Sequence, residues 1–183
     1  MIDFADILNR CKKNDRQAQG QLYNFLAPKL LGICRRYIKD SSEAEDVMQD
    51  SLVKIFMKLH SFKFEGSFEG WAKRVTVNTA LTRLKVSSRM QFNRDLKIVE
   101  NIEFKQEEVT QVSEKDLLAC LDNLPVGYRT IVNLFLIEDF SHKEIAEKLG
   151  ISESTSRSQY SRARQALSEL LKQRIKDQQS KYA

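Results

Sequence analysis

Proline and glycine are scarce in this chain, two and six among 183 residues. That shortage leaves little material for a turn-rich architecture, and with abundant Lys, Glu, Leu and Gln it predicts an all-α fold. The three cysteines, Cys11, Cys34 and Cys120, are odd in number, far apart and without a Cys-x-x-Cys pair. They exclude a disulfide framework and read as small core residues of a protein in a reducing compartment. No apolar run approaches the roughly 20 residues of a membrane span. The opening MIDFADILNRCKKND also lacks the pattern of a secretion signal, so a cytoplasmic protein without membrane insertion is expected. The two histidines, His60 and His142, have no ligand-spaced partners, and there is no Gly-x-x-x-x-Gly-Lys loop. Neither a metal centre, a cofactor nor a small-molecule substrate is expected.

The net charge is +5, but its distribution says more than its sum. Residues 40–50, DSSEAEDVMQD, hold five acids and no base; residues 71–94 hold six bases and no acid. The stretch 152–183 has seven bases against three acids. Separate acidic and basic faces predict more than one macromolecular partner.

The most organised stretch runs from Phe140 to Leu171, FSHKEIAEKLGISESTSRSQYSRARQALSELL. Ser141 and Glu144 have the spacing of a capping box that starts a helix. Gly150 stands just past the last apolar residue, where a departing chain commonly needs positive φ. Ser152 is placed to cap a second helix. On that helix Tyr160, Ala163, Leu167 and Leu171 gather on one side with Ser156 beside them. Ser154, Ser158, Ser161, Arg162 and Gln165 lie opposite, with Arg157 at the margin. One face packs and the other offers donors and charge, as a helix-turn-helix does on entering a major groove. An ordinary helical hairpin with a solvated basic face is the alternative.

Upstream, Phe4, Ile7, Leu8 and Cys11 keep helical spacing, and QLYNFLAPKLLGICRRYI predicts a longer helix that Pro28 kinks or divides. Ser42 and Glu45 suggest a second capping box, opening a helix that lasts to about His60. Its core stripe is Met48, Leu52, Ile55, Phe56 and Leu59. On the other side Asp46, Asp50, Val53 and Met57 share roughly a 60° sector, with Gln49 adjacent. Acids alone would be a solvated face. Two apolar residues among them mean contact, either with a partner or with another helix of the same domain.

FKFEGSFEGW reads as a loop that re-aims the chain into the helix WAKRVTVNTALTRLK. Arg74, Asn78 and Lys85 fall within roughly a 40° sector of that helix. Bases beside aromatics suit single-stranded nucleic acid, although Trp71 taken alone suits a core better. From about Gln91 to Glu114 the helical pattern dissolves, which predicts two small domains, 1–90 and 115–183, joined by a flexible linker, 91–114. Leu117, Leu118, Leu121 and Leu124 then lead to Pro125, and Ile131, Leu134, Phe135 and Ile137 predict the helix before the capping box.

In order and spacing, DVMQDSLVKIFMKL, SFEGWAKRVTVNTALTRLK and LDNLPVGYRTIVNLFLIEDFSHKEIAEKLGISESTSRSQYSRARQAL resemble the compact two-domain bacterial sigma factors of the extracytoplasmic-function group. The resemblance covers nearly the whole chain. It implies a non-enzymatic subunit that directs core RNA polymerase to promoters and helps open them. It places core polymerase binding on Asp46, Gln49, Asp50, Val53 and Met57. Melted promoter DNA, the non-template single strand with its flipped base, falls on the loop 62–67 and on Phe62, Lys63, Trp71, Arg74, Asn78 and Lys85. Duplex reading of the upstream element falls on Ser154, Thr155, Arg157, Ser158, Ser161 and Arg162. It also implies an anti-sigma factor as a further partner. Three positions depart from the family pattern: Ser156 where an apolar residue packs, Gln159 in place of a base that would add a phosphate contact, and Asp50 in place of Glu. A helix-turn-helix repressor would bind its operator unaided and would not need the acidic helix. A recombinase-like enzyme would need a nucleophile or a metal-binding carboxylate set, and no third carboxylate joins Asp46 and Asp50.

Overall fold

The computed structural model describes residues 4–87 and 113–181, which are helical with no strand among them. They fall into two compact units, the first ending at Val86 and the second beginning at Ser87. Most of the expected linker, 91–114, lies outside the described residues, as do residues 88–90 of the first expected domain.

The first unit is built from α1 (Phe4–Lys12), α2 (Arg16–Tyr37), α3 (Ser41–Lys58) and α4 (Phe68–Ser87), with a 3-10 turn, Leu59–Ser61, closing α3. Asn14, at φ 62, turns the chain between α1 and α2, and Asp15 caps α2 by accepting the N–H groups of Gln17 and Ala18. The same carboxylate takes a hydrogen bond from Arg10 Nε at 2.8 Å. That cation, with the two amides, holds the Asp15 carboxyl below the usual range. Pro28 neither ends nor divides the helix, for α2 continues through it to Tyr37. Its ring is exposed, while Leu22, Leu26, Leu30 and Ile33 on the buried side keep the helix seated. Fully burying each such leucine is worth roughly 1.5–3 kcal/mol, enough to offset the missing hydrogen bond.

The expected capping box at Ser42 and Glu45 is replaced by a cap two residues earlier. Asp40 accepts the N–H of Glu43 at 2.7 Å, and the helix starts at Ser41. Asp is as good a cap as Ser, and the extended residue Ile38 that ends α2 sets where the next helix can begin. The stripe Met48, Leu52, Ile55 and Leu59 is buried as expected, with Phe56 half-buried. In α4, three threonine hydroxyls turn back onto their own helix: Thr76 to Ala72 O, Thr79 to Val75 O and Thr82 to Asn78 O. Back-bonding satisfies the hydroxyls of Thr76 and Thr79, so these two side chains can be buried.

The second unit contains α5 (Glu114–Asn123), α6 (Val126–Val132), α7 (His142–Leu149) and α8 (Glu153–Lys181). Pro125 stands at the N-cap of α6. The helix expected to run on through Ile137 instead widens at Asn133–Ile137 into a π turn. Cys120, Leu121, Leu124, Tyr128, Val132, Ala163, Leu167 and Leu171 form the core, to which α8 contributes one face along half its length. Arg129 is buried among them at 1% exposure. Its Nη1 lies 3.8 Å from Asp122, and burial pulls its pKa down despite that carboxylate.

Candidate nucleic-acid interface

The turn between α7 and α8 forms as its sequence predicts. Ser141 accepts the N–H of Glu144, whose carboxylate returns to the Ser141 N–H at 2.9 Å. Gly150 lies at φ 71 and ends α7 by donating to Ala146 O. Ser152 caps α8 through the Thr155 N–H at 3.0 Å. A short helix joined through a left-handed glycine to a longer one that carries polar and basic residues outward is the geometry of a major-groove reader.

On α8, Ser154, Arg157, Ser158 and Ser161 are exposed, whereas Thr155 and Arg162 are half-buried. The Ser152 hydroxyl lies 2.8 Å from Ser154 Oγ and 2.7 Å from Thr155 Oγ1, and Ser158 donates to Thr155 O. Arg157 is 64% exposed by its side chain and pairs with Glu153 at 2.6 Å. Gln159 is not on this face. It is 3% exposed, so it packs inward rather than replacing a phosphate-binding base. Ser156 is fully buried, and its hydroxyl meets His142 Nδ1 at 3.0 Å. His142 in turn stacks on Phe135 with ring centres 4.4 Å apart and planes at 14°. A polar side chain thus occupies an apolar position without an unmet hydroxyl. Nothing in the spacing of Ser156 pointed to a partner 14 residues away.

In the first unit the loop between the 3-10 turn and α4 shapes a pocket of about 440 Å³, lined by Ser61–Lys63, Glu65–Ser67, Gly70, Trp71 and Arg74. That volume is within the range of small-ligand sites, about 300–1,000 Å³. Phe62 belongs to an aromatic cluster, with its ring 5.3 Å from that of Phe68 and 5.5 Å from that of Trp71, centre to centre. Phe62 itself is 6% exposed and so forms a wall, while Lys63 and Arg74 are exposed at the mouth. Asn78 and Lys85 continue the exposed line of Arg74 along α4. The pocket therefore brings Phe62, Lys63, Trp71 and Arg74 together and leaves Asn78 and Lys85 on the same helix beyond it. Sequence spacing gave no sign of Ser61 and Gly70 as lining residues, nor of Lys12, whose Nζ reaches across 50 residues to donate to Phe62 O at 3.1 Å.

On α3, Asp46, Gln49, Asp50, Val53 and Met57 are all exposed, Val53 at 57% and Met57 at 77%. Among the described residues no helix covers the sector, whose two apolar members stand among acids. Beside it Arg83 on α4 pairs with Glu43 at 2.9 Å and feels Asp46 and Asp50 as well. Among the described residues no cluster of acids, histidines or cysteines could hold a metal ion, and no helix is long and apolar enough to cross a membrane.

Both units match known families: the sigma-70 region 2 model over residues 22–90 and the sigma-70 region 4 model over residues 114–167. The chain belongs to the sigma-70 family of RNA polymerase sigma factors. It is 27% identical to the extracytoplasmic-function sigma-E factor of Haemophilus influenzae, over 88% of this chain and 91% of that one. It is also 25% identical to the extracytoplasmic-function sigma factor SigW of Bacillus subtilis, over 90% and 95%. Among solved structures, the sigma factor RpoE of Bartonella quintana, in complex with the anti-sigma factor NepR, is 25% identical with a TM-score of 0.52, covering 84% of this chain and 96% of that one. Within the family, then, this is a sigma factor of the extracytoplasmic-function group: it binds core RNA polymerase and directs it to promoter DNA to initiate transcription.

Proposed function

We propose that this work is divided between a polymerase-gripping, strand-opening domain, 1–90, and a promoter-reading domain, 115–183, tethered by residues 91–114. Asp46, Gln49, Asp50, Val53 and Met57 form the docking face for core polymerase. The pocket between Phe62 and Arg74 takes an unpaired base of the non-template strand. Phe62 and Trp71 supply its apolar walls, Lys63 and Arg74 meet phosphates at its mouth, and Asn78 and Lys85 carry the strand along α4. Unstacking a base costs a few kcal/mol, which stacking and hydrogen bonds in such a pocket can offset. Ser154, Thr155, Arg157, Ser158, Ser161 and Arg162 contact the upstream element in its major groove. The protein acts by binding without covalent chemistry, in the cytoplasm where its polymerase is, and an anti-sigma factor like that bound to the Bartonella relative restrains it.

The observation that carries this reading is the uncovered α3 sector, where Val53 and Met57 stand in water among acids. Asp46→Arg with Asp50→Arg reverses its charge without touching the core, because both side chains are exposed. The double variant should keep its helical content and melting temperature yet fail to co-purify with core polymerase. Undiminished co-purification would remove the docking face from this sector.

A further inference from the structure

Phe64 sits beside the pocket in a conformation that its own side chain disfavours. Its φ is 60, in the left-handed region that bulky residues avoid, and two residues on Gly66 lies at φ 89. Such a backbone persists only where its surroundings over-determine it. Two contacts do so here. The ring of Phe64 tilts against Phe62 with centres 5.3 Å apart, and the Lys12 ammonium lies 4.6 Å from its centre on the opposite element, α1. The same ammonium donates to the Phe62 carbonyl at 3.1 Å.

From this we infer that Lys12 is a positioning residue for the base-binding pocket, a latch on α1 that holds the 62–66 loop in the shape that accepts an unpaired base. The inference rests on the reading of the pocket given above. Phe64 is not among the lining residues, but Glu65 and Gly66 are. If Phe64 relaxes to negative φ, both must move, because a change in one φ swings every following residue until the chain is anchored again at Ser67 and Phe68. Lys12 lies outside the span matched by the region 2 model, which begins at residue 22, and its contacts with the Phe62 carbonyl and the Phe64 ring both run through its ammonium.

The test uses the full chain with core polymerase and a promoter whose non-template strand carries a fluorescent base analogue at the flipped position. Lys12→Met keeps the length of the stem and removes the donor and the charge. It should slow promoter opening roughly threefold to tenfold, the scale of one cation–π contact and one hydrogen bond, and shift the emission of Trp71, the single tryptophan. Polymerase binding and melting temperature should stay unchanged. Lys12→Arg should restore both opening and emission. In a Phe64→Gly background the Lys12→Met defect should shrink, since glycine adopts positive φ without help. Full additivity of the two substitutions, or unaltered opening and Trp71 emission in Lys12→Met, would overturn the latch. Arg74→Ala provides the separate control: if it too leaves opening untouched, the pocket reading fails, and if it alone slows opening, only the latch fails.

Discussion

His142 shows how a single residue can report on the seating of the recognition helix. It sits between Phe135, Tyr160 and Ser156, and burial lowers its pKa first, with Arg157 adding to the effect and Glu153 opposing it. The fold therefore favours the neutral ring. A depressed folded pKa contributes stability that is whole above the ordinary histidine value, about 6.5, and is lost as pH falls through the lower folded value. The melting transition of the second unit should accordingly drop as pH is taken below about 6.5. His142→Phe, which keeps the stacking on Phe135, should flatten that dependence. Equal slopes for the two proteins between pH 7.5 and 5 would detach the titration from this ring. Asp15 carries the same sign in the first unit, also a depressed pKa, but in the carboxylate range, so the histidine window is free of it. Arg129 shows the limit of reading residues from composition: an arginine in LPVGYR looks like surface, and only the fold buries it.

Elements were legible where a local hydrogen bond or a left-handed turn fixes them. Ser141, Glu144 and Gly150 named the α7 boundaries because cap and stop are written within one turn of the helix. The start of α3 was misplaced because Ser42 and Asp40 are both good caps, and the choice between them depends on where α2 stops. The π turn at Asn133–Ile137 has no periodicity of its own to betray it, and Ser156 reached His142 only once two helices were packed. The pocket was legible as a loop composition, FKFEGSFEGW, but its latch was not, since Lys12 is near Phe64 only in space. The first turn of α8 carries a consequence of its own. Arg157 is held by Glu153 in an exposed i, i+4 pair, worth about 0.3–0.5 kcal/mol, so it is cheaply released to DNA. On the proposed reading, Arg157→Ala should weaken binding to the upstream element by about 1–3 kcal/mol and relax its sequence preference. Glu153→Gln, which frees the arginine and removes a negative charge, should tighten it modestly. Titrations of the polymerase-bound protein against matched and scrambled elements decide the point. A loss equal on both would make Arg157 a phosphate contact.

At the scale of the molecule, each unit closes a hydrophobic core of its own: around Leu22, Leu26, Tyr37 and Ile55 in the first, around Leu121, Leu124, Val132 and Leu167 in the second. On the proposed reading, the contacts assigned to each unit are too few to hold duplex DNA firmly without the other. The recognition surface offers Arg157 and Arg162 and a row of hydroxyls, and neutralising few phosphates releases few counterions. On that reading, promoter choice comes from adding modest contacts on one chain, where the second contact forms at the raised effective concentration that covalent connection gives. Supplying the units separately, as fragments 1–87 and 113–183, removes the tether and leaves both folds. Circular dichroism should show each fragment helical, and the first should still co-purify with core polymerase. Together, at micromolar concentration, they should fail to select the start site that the intact chain selects, and the intact chain alone should bind the same promoter duplex weakly, with an affinity that falls steeply with salt. Start-site selection by the mixed fragments equal to that of the whole chain would mean that the second unit finds its element without the first, and that the covalent connection contributes nothing to specificity.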